Sequence, residues 1–63
     1  MKLKEFRQSK GLSQEQFAIR MGVSYSMLVK VENGRANASK GFLDKIKKAF
    51  PDINIDAVFF NLK

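Results

Sequence analysis

Residues 12–34 read LSQEQFAIRMGVSYSMLVKVENG and contain the signals for two short helices joined by a tight turn. Ser13 can accept a hydrogen bond from the first helical turn while Gln16, three residues later, reaches back to its backbone, which is a capping box. Phe17, Ala18 and Met21 follow at helical spacing. Gly22 can adopt the left-handed conformation that ends a helix without a Cβ clash. The first helix is therefore predicted to span about two turns and to stop at Gly22.

The second helix of this unit starts almost immediately afterwards. Ser24 is a second N-cap candidate, separated from the glycine turn by Val23 alone. Leu28 and Val31 then form an apolar stripe that closes at Asn33-Gly34. This pattern predicts a helix from about Tyr25 to Asn33.

The flanking segments also show helical patterns. Helix 1 is predicted over about Lys2 to Lys10, and its apolar side chains are Leu3 and Phe6, with Met1 a further candidate. Helix 4 is predicted from about Lys40 to Phe50, between Ser39 as N-cap and Pro51 as a block to continuation. The residues expected on its buried face are Phe42, Leu43, Ile46, Ala49 and Phe50.

A fifth helix is predicted from about Ile55, behind Asn54, with an apolar stripe at Ile55, Val58, Phe59 and Leu62. No segment shows strand alternation with turn signals, so the fold class is predicted as all-α. From its length, the chain is predicted to form one domain over residues 1–63. A chain of this size buries only ~60% of the surface that its unfolded form exposes, so its core must be efficient. We therefore expect a compact domain of five short helices, in which helices 2 and 3 form the helix-turn-helix.

The sequence resembles the Cro/lambda-repressor-like helix-turn-helix family, also called the XRE type. The resemblance rests on Gly11-Leu12-Ser13-Gln14, Phe17-Ala18, Gly22-Val23-Ser24 and Val31-Glu32-Asn33-Gly34, in this order. It covers nearly the whole chain, and residues 50–54, FPDIN, are similar to the entrance of the last helix in phage repressors. The resemblance implies a lambda-repressor-like fold that reads the major groove of double-stranded DNA with helix 3.

Composition excludes several other classes of protein. The chain has neither cysteine nor histidine, which removes disulfides, thiolate nucleophiles and nearly all transition-metal sites. The six acidic residues form no pair suited to acid/base or metal chemistry, and no Gly-rich phosphate loop is present. We therefore expect no enzymatic activity, no cofactor, no metal and no small-molecule ligand. No apolar run approaches a signal peptide or the ~20 residues of a membrane span, so we expect a cytoplasmic protein. The resemblance implies that it is bacterial or phage-encoded.

Charge is distributed unevenly along the chain. Residues 1–48 carry eleven Lys and Arg against four Asp and Glu, whereas residues 49–63 carry one lysine against two aspartates. A basic surface of this kind attracts DNA, because each neutralised phosphate releases counterions. Charge alone is equally consistent with a solvated surface that keeps the protein in solution.

Arg7 and Glu32 are predicted to form a structural ion pair. Arg7 follows Leu3 by four residues and lies beside Phe6, near the buried edge of helix 1. In the family that this chain resembles, an arginine here pairs with the glutamate of the Glu-Asn-Gly exit. Either the pair is buried, where loss of one partner would cost ~3–5 kcal/mol, or it is a loose surface pair worth under about 1 kcal/mol.

Residues for base contact follow from the face that the core leaves free. Lys30 can donate to guanine, Ser26 can donate or accept, and Val29 suits a thymine methyl group. Tyr25 can use either its hydroxyl or its ring. The structural alternatives are a stray apolar surface residue for Val29 and a partly buried aromatic at the helix start for Tyr25. The predicted base contacts are Tyr25, Ser26, Val29 and Lys30, the positions that the resemblance implies.

Phosphate contacts are expected at helix N-termini and at polar residues that flank the motif. The resemblance implies this role for Gln14 and for the Asn-Gly exit. The chain departs from the family in having Asn37-Ala38-Ser39 where an Asn-Pro-Ser run is common, and in placing Gly41 in the first turn of helix 4, which loosens this corner. The predicted phosphate contacts are Gln14, Ser24, Asn33, Arg35, Asn37 and Lys40.

The C-terminal helix contains the candidate contact for a homodimer. Phe59 belongs to the apolar stripe, but Phe60 is turned ~100° away from it and shares its side with Ala57. Two adjacent phenylalanines cannot both face one core. Ala57, Phe60 and Leu62 are therefore predicted to contact a second copy, with the alternative that Phe60 covers a gap beside helix 1 or helix 4. The resemblance implies a dimer on a palindromic operator with recognition helices about 34 Å apart.

Two functional interpretations remain open from the sequence. The first is a small sequence-specific transcriptional regulator, a repressor of the phage or mobile-element kind. The alternative is a protein-interaction module on the same fold, such as an antitoxin, for which DNA binding is secondary. An antitoxin would need a segment that binds its toxin, and this chain has little length to spare for one.

Overall fold

A computed structural model describes residues 2–60, and within this range every regular element is helical. The helices are α1 (Leu3–Ser9), α2 (Gln14–Met21), α3 (Tyr25–Glu32) and α4 (Lys40–Ala49), and a short π-helical segment, Asp56–Phe60, follows them. The all-α prediction is confirmed, and the predicted ends of the first four helices agree with the observed ones to within one residue. The last segment was predicted as a regular helix, but its backbone winds more widely than an α-helix.

Local capping explains where α2, α3 and α4 begin. The Ser13 hydroxyl accepts from the Gln16 backbone N–H at 3.1 Å, and Gln16 Oε1 accepts from the Ser13 backbone N–H at 2.9 Å, which confirms the predicted capping box. Ser24 and Ser39 cap α3 and α4 in the same way, since each hydroxyl accepts from the backbone N–H three residues later. These serines replace backbone partners that the first helical turn lacks.

The centre of the core is a group of three phenylalanines from three elements. Phe17 of α2 stacks on Phe50, which follows α4, with ring centroids 5.0 Å apart. Phe6 of α1 packs edge-on against both, at 6.3 Å and 5.7 Å. Leu28 and Val31 of α3 are fully buried beside this group. Such pairs add specific geometry to the burial of apolar surface, so they fix how α1, α2 and α4 meet.

One predicted core position, Leu43, differs from the prediction. Leu43 is half-buried and lies outside the core cluster, because it is turned about 90° from the centre of the stripe formed by Phe42, Ile46 and Ala49. Phe59 is half-buried against Phe42, with centroids 6.1 Å apart. Met1 and Leu62, which were predicted to extend the apolar stripes, lie outside the described residues.

The C-terminal segment closes the domain against its first helix. The Lys2 backbone N–H donates to the Val58 carbonyl at 2.8 Å, and Val58 is buried. Lys10 Nζ lies 2.6 Å from Asp52 Oδ2 and 5.4 Å from the centroid of the Phe6 ring. The two ends of the described chain are therefore held together.

Candidate nucleic-acid interface

The turn between α2 and α3 sets the direction of α3. Gly22 has φ +76°, a left-handed conformation that side chains rarely adopt, and its N–H donates to the carbonyls of Ala18 and Ile19. Lys45 of α4 donates to the Gly22 carbonyl at 3.3 Å. The turn is thus closed by its own backbone and held from outside by α4.

The exposed face of α3 is the one opposite its buried residues. Leu28 and Val31 face the core with no exposed surface. Each residue of an α-helix is rotated about 100° from the last, so the opposite direction belongs to Ser26, Lys30 and Asn33, all of which are exposed. This polar face is the one that the sequence predicts to meet base edges.

Val29 lies at the edge of this face and is half-buried, whereas it was expected to be presented to solvent. Tyr25 precedes it by four residues and Glu32 follows it by three, so both lie next to it on the helix surface. A contact from Val29 to DNA therefore depends on a methyl group at the edge of the face.

Tyr25 and Gln14 are joined across the two helices. The Tyr25 hydroxyl donates to Gln14 Oε1 at 3.4 Å, while the Tyr25 side chain remains half exposed. Gln14 is half-buried, and its Nε2 donates to Glu32 Oε1 at 3.1 Å. Because an amide nitrogen carries two N–H groups, one of them remains for a phosphate outside the protein.

Arg7 lies behind this contact and pairs with Glu32. Arg7 Nε donates to Glu32 Oε2 at 2.8 Å, and a terminal guanidinium nitrogen donates to Oε1 at 3.3 Å. The other terminal nitrogen donates to the Leu12 carbonyl at 2.9 Å. Both side chains are more than nine-tenths buried, so the geometry is that of the buried alternative. A chain of hydrogen bonds thus runs from Arg7 through Glu32 and Gln14 to Tyr25.

The Ser24 hydroxyl can accept one hydrogen bond and donate another. Its oxygen accepts from the Met27 backbone N–H at 3.1 Å as the cap of α3, and its own O–H stays available as a donor. The residue is exposed at the start of the helix, where unpaired backbone N–H groups also point outward. This position suits a phosphate oxygen.

The exit of α3 folds back on its last turn. The backbone N–H groups of Arg35 and Ala36 both donate to the Lys30 carbonyl, at 2.8 Å and 3.2 Å. This hydrogen bonding holds the backbone of Arg35 close to the last turn of α3. Three further phosphate candidates, Asn33, Asn37 and Lys40, are exposed around the same corner, and α4 begins at Lys40 in spite of Gly41.

Positive charge remains largely unneutralised on this surface. Within residues 2–60 two ion pairs are present, Arg7 with Glu32 and Lys10 with Asp52. The exposed cations near α3, which are Lys30, Arg35 and Lys40, belong to neither pair. A polyanion that lies along this corner would meet several cations at once.

No helix within residues 2–60 is long and apolar enough to cross a membrane.

Met27 and Ile19 are exposed apolar residues that the sequence analysis did not single out. Ile19 is 79% exposed on the outer side of α2. Met27 is 44% exposed and borders a groove of about 340 Å³ with Val23 and Phe42. The helical period could have identified Met27, because it is rotated by about 200° from Tyr25 and so flanks the polar face on the other side.

The dimer candidates lie in the C-terminal segment. Phe60 is 55% exposed and is not among the side chains packed against the core, whereas Ala57 is half-buried. Phe59, rather than Phe60, packs against α4. The third candidate, Leu62, lies outside the described residues.

Comparison with known proteins gives a family. Neither a search of curated proteins nor a search of solved structures finds a significant match. A family model described as helix-turn-helix matches residues 3–58, which include all four α-helices and the turn at Gly22. Because this match covers most of the chain, and the geometry of α2 and α3 agrees with it, the protein belongs to the XRE-type helix-turn-helix family of DNA-binding regulatory domains.

Proposed function

We propose that this protein is a sequence-specific transcriptional regulator, a repressor of the phage or mobile-element kind, that places α3 in the major groove of a palindromic operator. The observation that carries the proposal is the polar face of α3. Ser26 and Lys30 lie exposed opposite the buried Leu28 and Val31. A short helix with this division of faces fits the major groove, whose base edges offer donors and acceptors to such side chains.

Four residues of α3 are assigned to base contacts. Lys30 donates to guanine O6 or N7, and Ser26 lies one turn before it on the same face. Val29 offers its exposed edge to a thymine methyl group. Tyr25 presents its ring, since its hydroxyl already donates to Gln14. The proposed base-reading set is Tyr25, Ser26, Val29 and Lys30.

Phosphate contacts are assigned to both sides of this face. Gln14 and Ser24 contact one strand through the amide N–H and the hydroxyl that their internal hydrogen bonds leave available. The exit of α3 contacts the backbone on the other side, and the residues assigned there are Asn33, Arg35, Asn37 and Lys40. These groups position the domain and carry no sequence information themselves.

A second copy completes the operator complex. One domain of this size reads half a site, and two-fold symmetry places recognition helices about 34 Å apart. The proposed homodimer contact contains Ala57, Phe60 and Leu62. Its support is the exposure of Phe60, an aromatic side chain that contributes little to the core of the monomer. We place the protein in the cytoplasm of a bacterium, encoded by the host or by a phage.

Selection of bound duplexes from a random DNA pool tests the proposal directly. We expect a palindromic consensus with half-sites about one helical turn apart. The winners are then titrated at several salt concentrations against shuffled duplexes. Binding that depends steeply on salt but yields no consensus would contradict sequence-specific regulation, since phosphate contacts alone produce that behaviour. Failure to bind duplex DNA would favour a protein-interaction role on the same fold.

A further inference from the structure

A basic groove lies between α2 and α4. Its volume is about 250 Å³. The residues that line it come from the end of α2 and the second half of α4, and they are Arg20, Met21, Lys45, Lys48 and Ala49. No residue of α3 and none of those assigned to DNA takes part.

Three cations surround this groove without a carboxylate among the lining residues. Lys45 and Lys48 are three residues apart on α4 and so lie side by side, an arrangement of like charges that raises the electrostatic energy of the folded protein. Arg20 adds a third positive charge from α2. Asp44 is the one carboxylate of α4, and neither ion pair of residues 2–60 includes it. Asp44 precedes Lys48 by four residues and so lies beside it on the helix surface, but it is not among the residues that line the groove, whose own charges are all positive.

The floor of the groove is apolar. Met21 is 95% buried beneath it, and Ala49 is half-buried at its side. Methionine adapts its shape to different apolar partners more readily than a branched side chain does. A nucleic-acid backbone would pair its phosphates with the cations, but its sugars offer no aliphatic side chain to the apolar floor between them. An acidic protein segment with an apolar side chain between its carboxylates uses both parts of the groove.

We propose that the groove formed by Arg20, Lys45, Lys48, Met21 and Ala49 binds an acidic segment of a partner protein. Carboxylates of this segment pair with Arg20 and Lys48, and one apolar side chain lies between them on Met21 and Ala49. Since Lys45 also donates to the Gly22 carbonyl, the occupied groove lies directly behind the turn of the helix-turn-helix motif. The proposal does not depend on which DNA sequence the protein reads.

Fluorescence anisotropy with two labelled peptides tests this proposal. The first peptide has twelve residues, with Asp and Glu flanking two central leucines, and the second has serines in place of the leucines. The test variant, Arg20→Glu/Lys48→Glu, reverses the charge of the groove. The control variant, Lys2→Glu/Lys4→Glu, makes the same change in net charge at two exposed lysines around the start of α1. A milder variant, Arg20→Gln/Lys48→Gln, replaces the first if circular dichroism shows that charge reversal prevents folding.

We expect the groove variant to bind the leucine peptide about tenfold more weakly than the wild type, and the control variant to bind it within about threefold. The serine peptide should bind the wild type several-fold more weakly than the leucine peptide. Absence of binding by the wild type, or equal losses in the two variants, would overturn the proposal, and so would equal affinity for the two peptides. If operator DNA loses more affinity with the groove variant than with the control, the groove is a nucleic-acid surface and the proposal is likewise wrong.

Discussion

Arg7 and Glu32 are 25 residues apart in the chain and form a buried ion pair held by two hydrogen bonds, Nε to Oε2 at 2.8 Å and a second guanidinium nitrogen to Oε1 at 3.3 Å. The pair joins α1 to the end of the recognition helix. Glu32 Oε1 also accepts from Gln14, which in turn accepts from Tyr25. Glu32 supports the proposed DNA surface from behind through Gln14, and it is also a member of the buried ion pair.

Removal of one partner of this pair should strongly destabilise the domain. Arg7→Met leaves the Glu32 carboxylate buried without its cation, at a cost of ~3–5 kcal/mol. A chain of 63 residues has a total stability of only about 3–9 kcal/mol, so this variant approaches global unfolding. Urea denaturation checks the loss, with Lys4→Met on the exposed side of α1 as the control.

The double variant Arg7→Met/Glu32→Leu completes the cycle. It should lose less stability than the sum of the single variants, because neither charge is left unpaired. Additive losses would mean that the two residues act independently and that the buried pair is not the source of the effect.

Lys30 and Arg35 should affect DNA binding in different ways. Lys30→Ala is expected to relax the preference at one base step by ~1–3 kcal/mol, because it removes a donor to a base edge. Arg35→Ala should weaken binding to all sequences alike and reduce the slope of the salt dependence by about one unit. Titration of the selected duplex and of single-base variants measures both. A uniform loss from both substitutions would place Lys30 on the phosphate backbone.

Gln14→Ala is expected to weaken binding to all duplexes alike, as a phosphate contact should. Because Gln14 also donates to Glu32, its stability must be measured in parallel by urea denaturation. A loss of affinity confined to one base step would assign Gln14 to sequence reading instead.

Tyr25 should act on DNA through its ring. Its hydroxyl donates to Gln14, so Tyr25→Phe removes only this exposed hydrogen bond and should change operator affinity by less than about threefold. Tyr25→Ala removes the ring as well and should weaken binding about tenfold or more, which corresponds to ~1.4 kcal/mol. Equal losses from the two substitutions would show that the hydroxyl itself contacts DNA.

Lys10 and Asp52 should contribute to stability in a pH-dependent manner. The hydrogen bond from Lys10 holds the pKa of the Asp52 carboxyl below its ordinary value of 3.8. A lowered pKa in the folded state stabilises the protein at pH values above the ordinary pKa, and this contribution is lost as the pH falls through the folded-state value. Asp52→Asn should therefore be less stable than the wild type at neutral pH and equally stable at about pH 2.

Denaturation curves across this pH range measure the Asp52 effect, and Asp44→Asn is the matched control. Asp44 is also exposed, but it belongs to neither ion pair of residues 2–60. A difference between wild type and Asp52→Asn that persisted at the acid end would assign the effect to packing instead of charge.

Phe60→Ser should reduce self-association if the C-terminal segment forms the dimer contact. The side chain is 55% exposed, so its replacement should leave the monomer folded. Ile19→Ser is the matched control, because Ile19 is also apolar and even more exposed, and it belongs to α2 instead of the C-terminal segment. Sedimentation equilibrium with and without operator DNA compares them. An unchanged oligomeric state in the Phe60 variant would contradict the proposed contact.

Sequence alone determined the helices and the turn of this domain. The hydroxyls of Ser13, Ser24 and Ser39 cap their helices by accepting from backbone N–H groups three residues later. Gly22 ends α2 through the left-handed conformation of its own backbone. Interactions of such short range depend on neighbours in the chain, so local patterns predict the helix ends to within one residue. The buried face of α3 followed for the same reason, since Leu28 and Val31 recur at the helical period.

Tertiary packing decided what the spacing of residues left open. Sequence allowed either a buried or a loose pair for Arg7 and Glu32, and the burial depends on how α1 packs against the end of α3. Phe59 takes the place beside Phe42 that leaves Phe60 outside. The basic groove exists only because α2 and α4 pack side by side. Each of these features joins residues far apart in the chain, and side-chain contacts of that range arise only once the helices have packed.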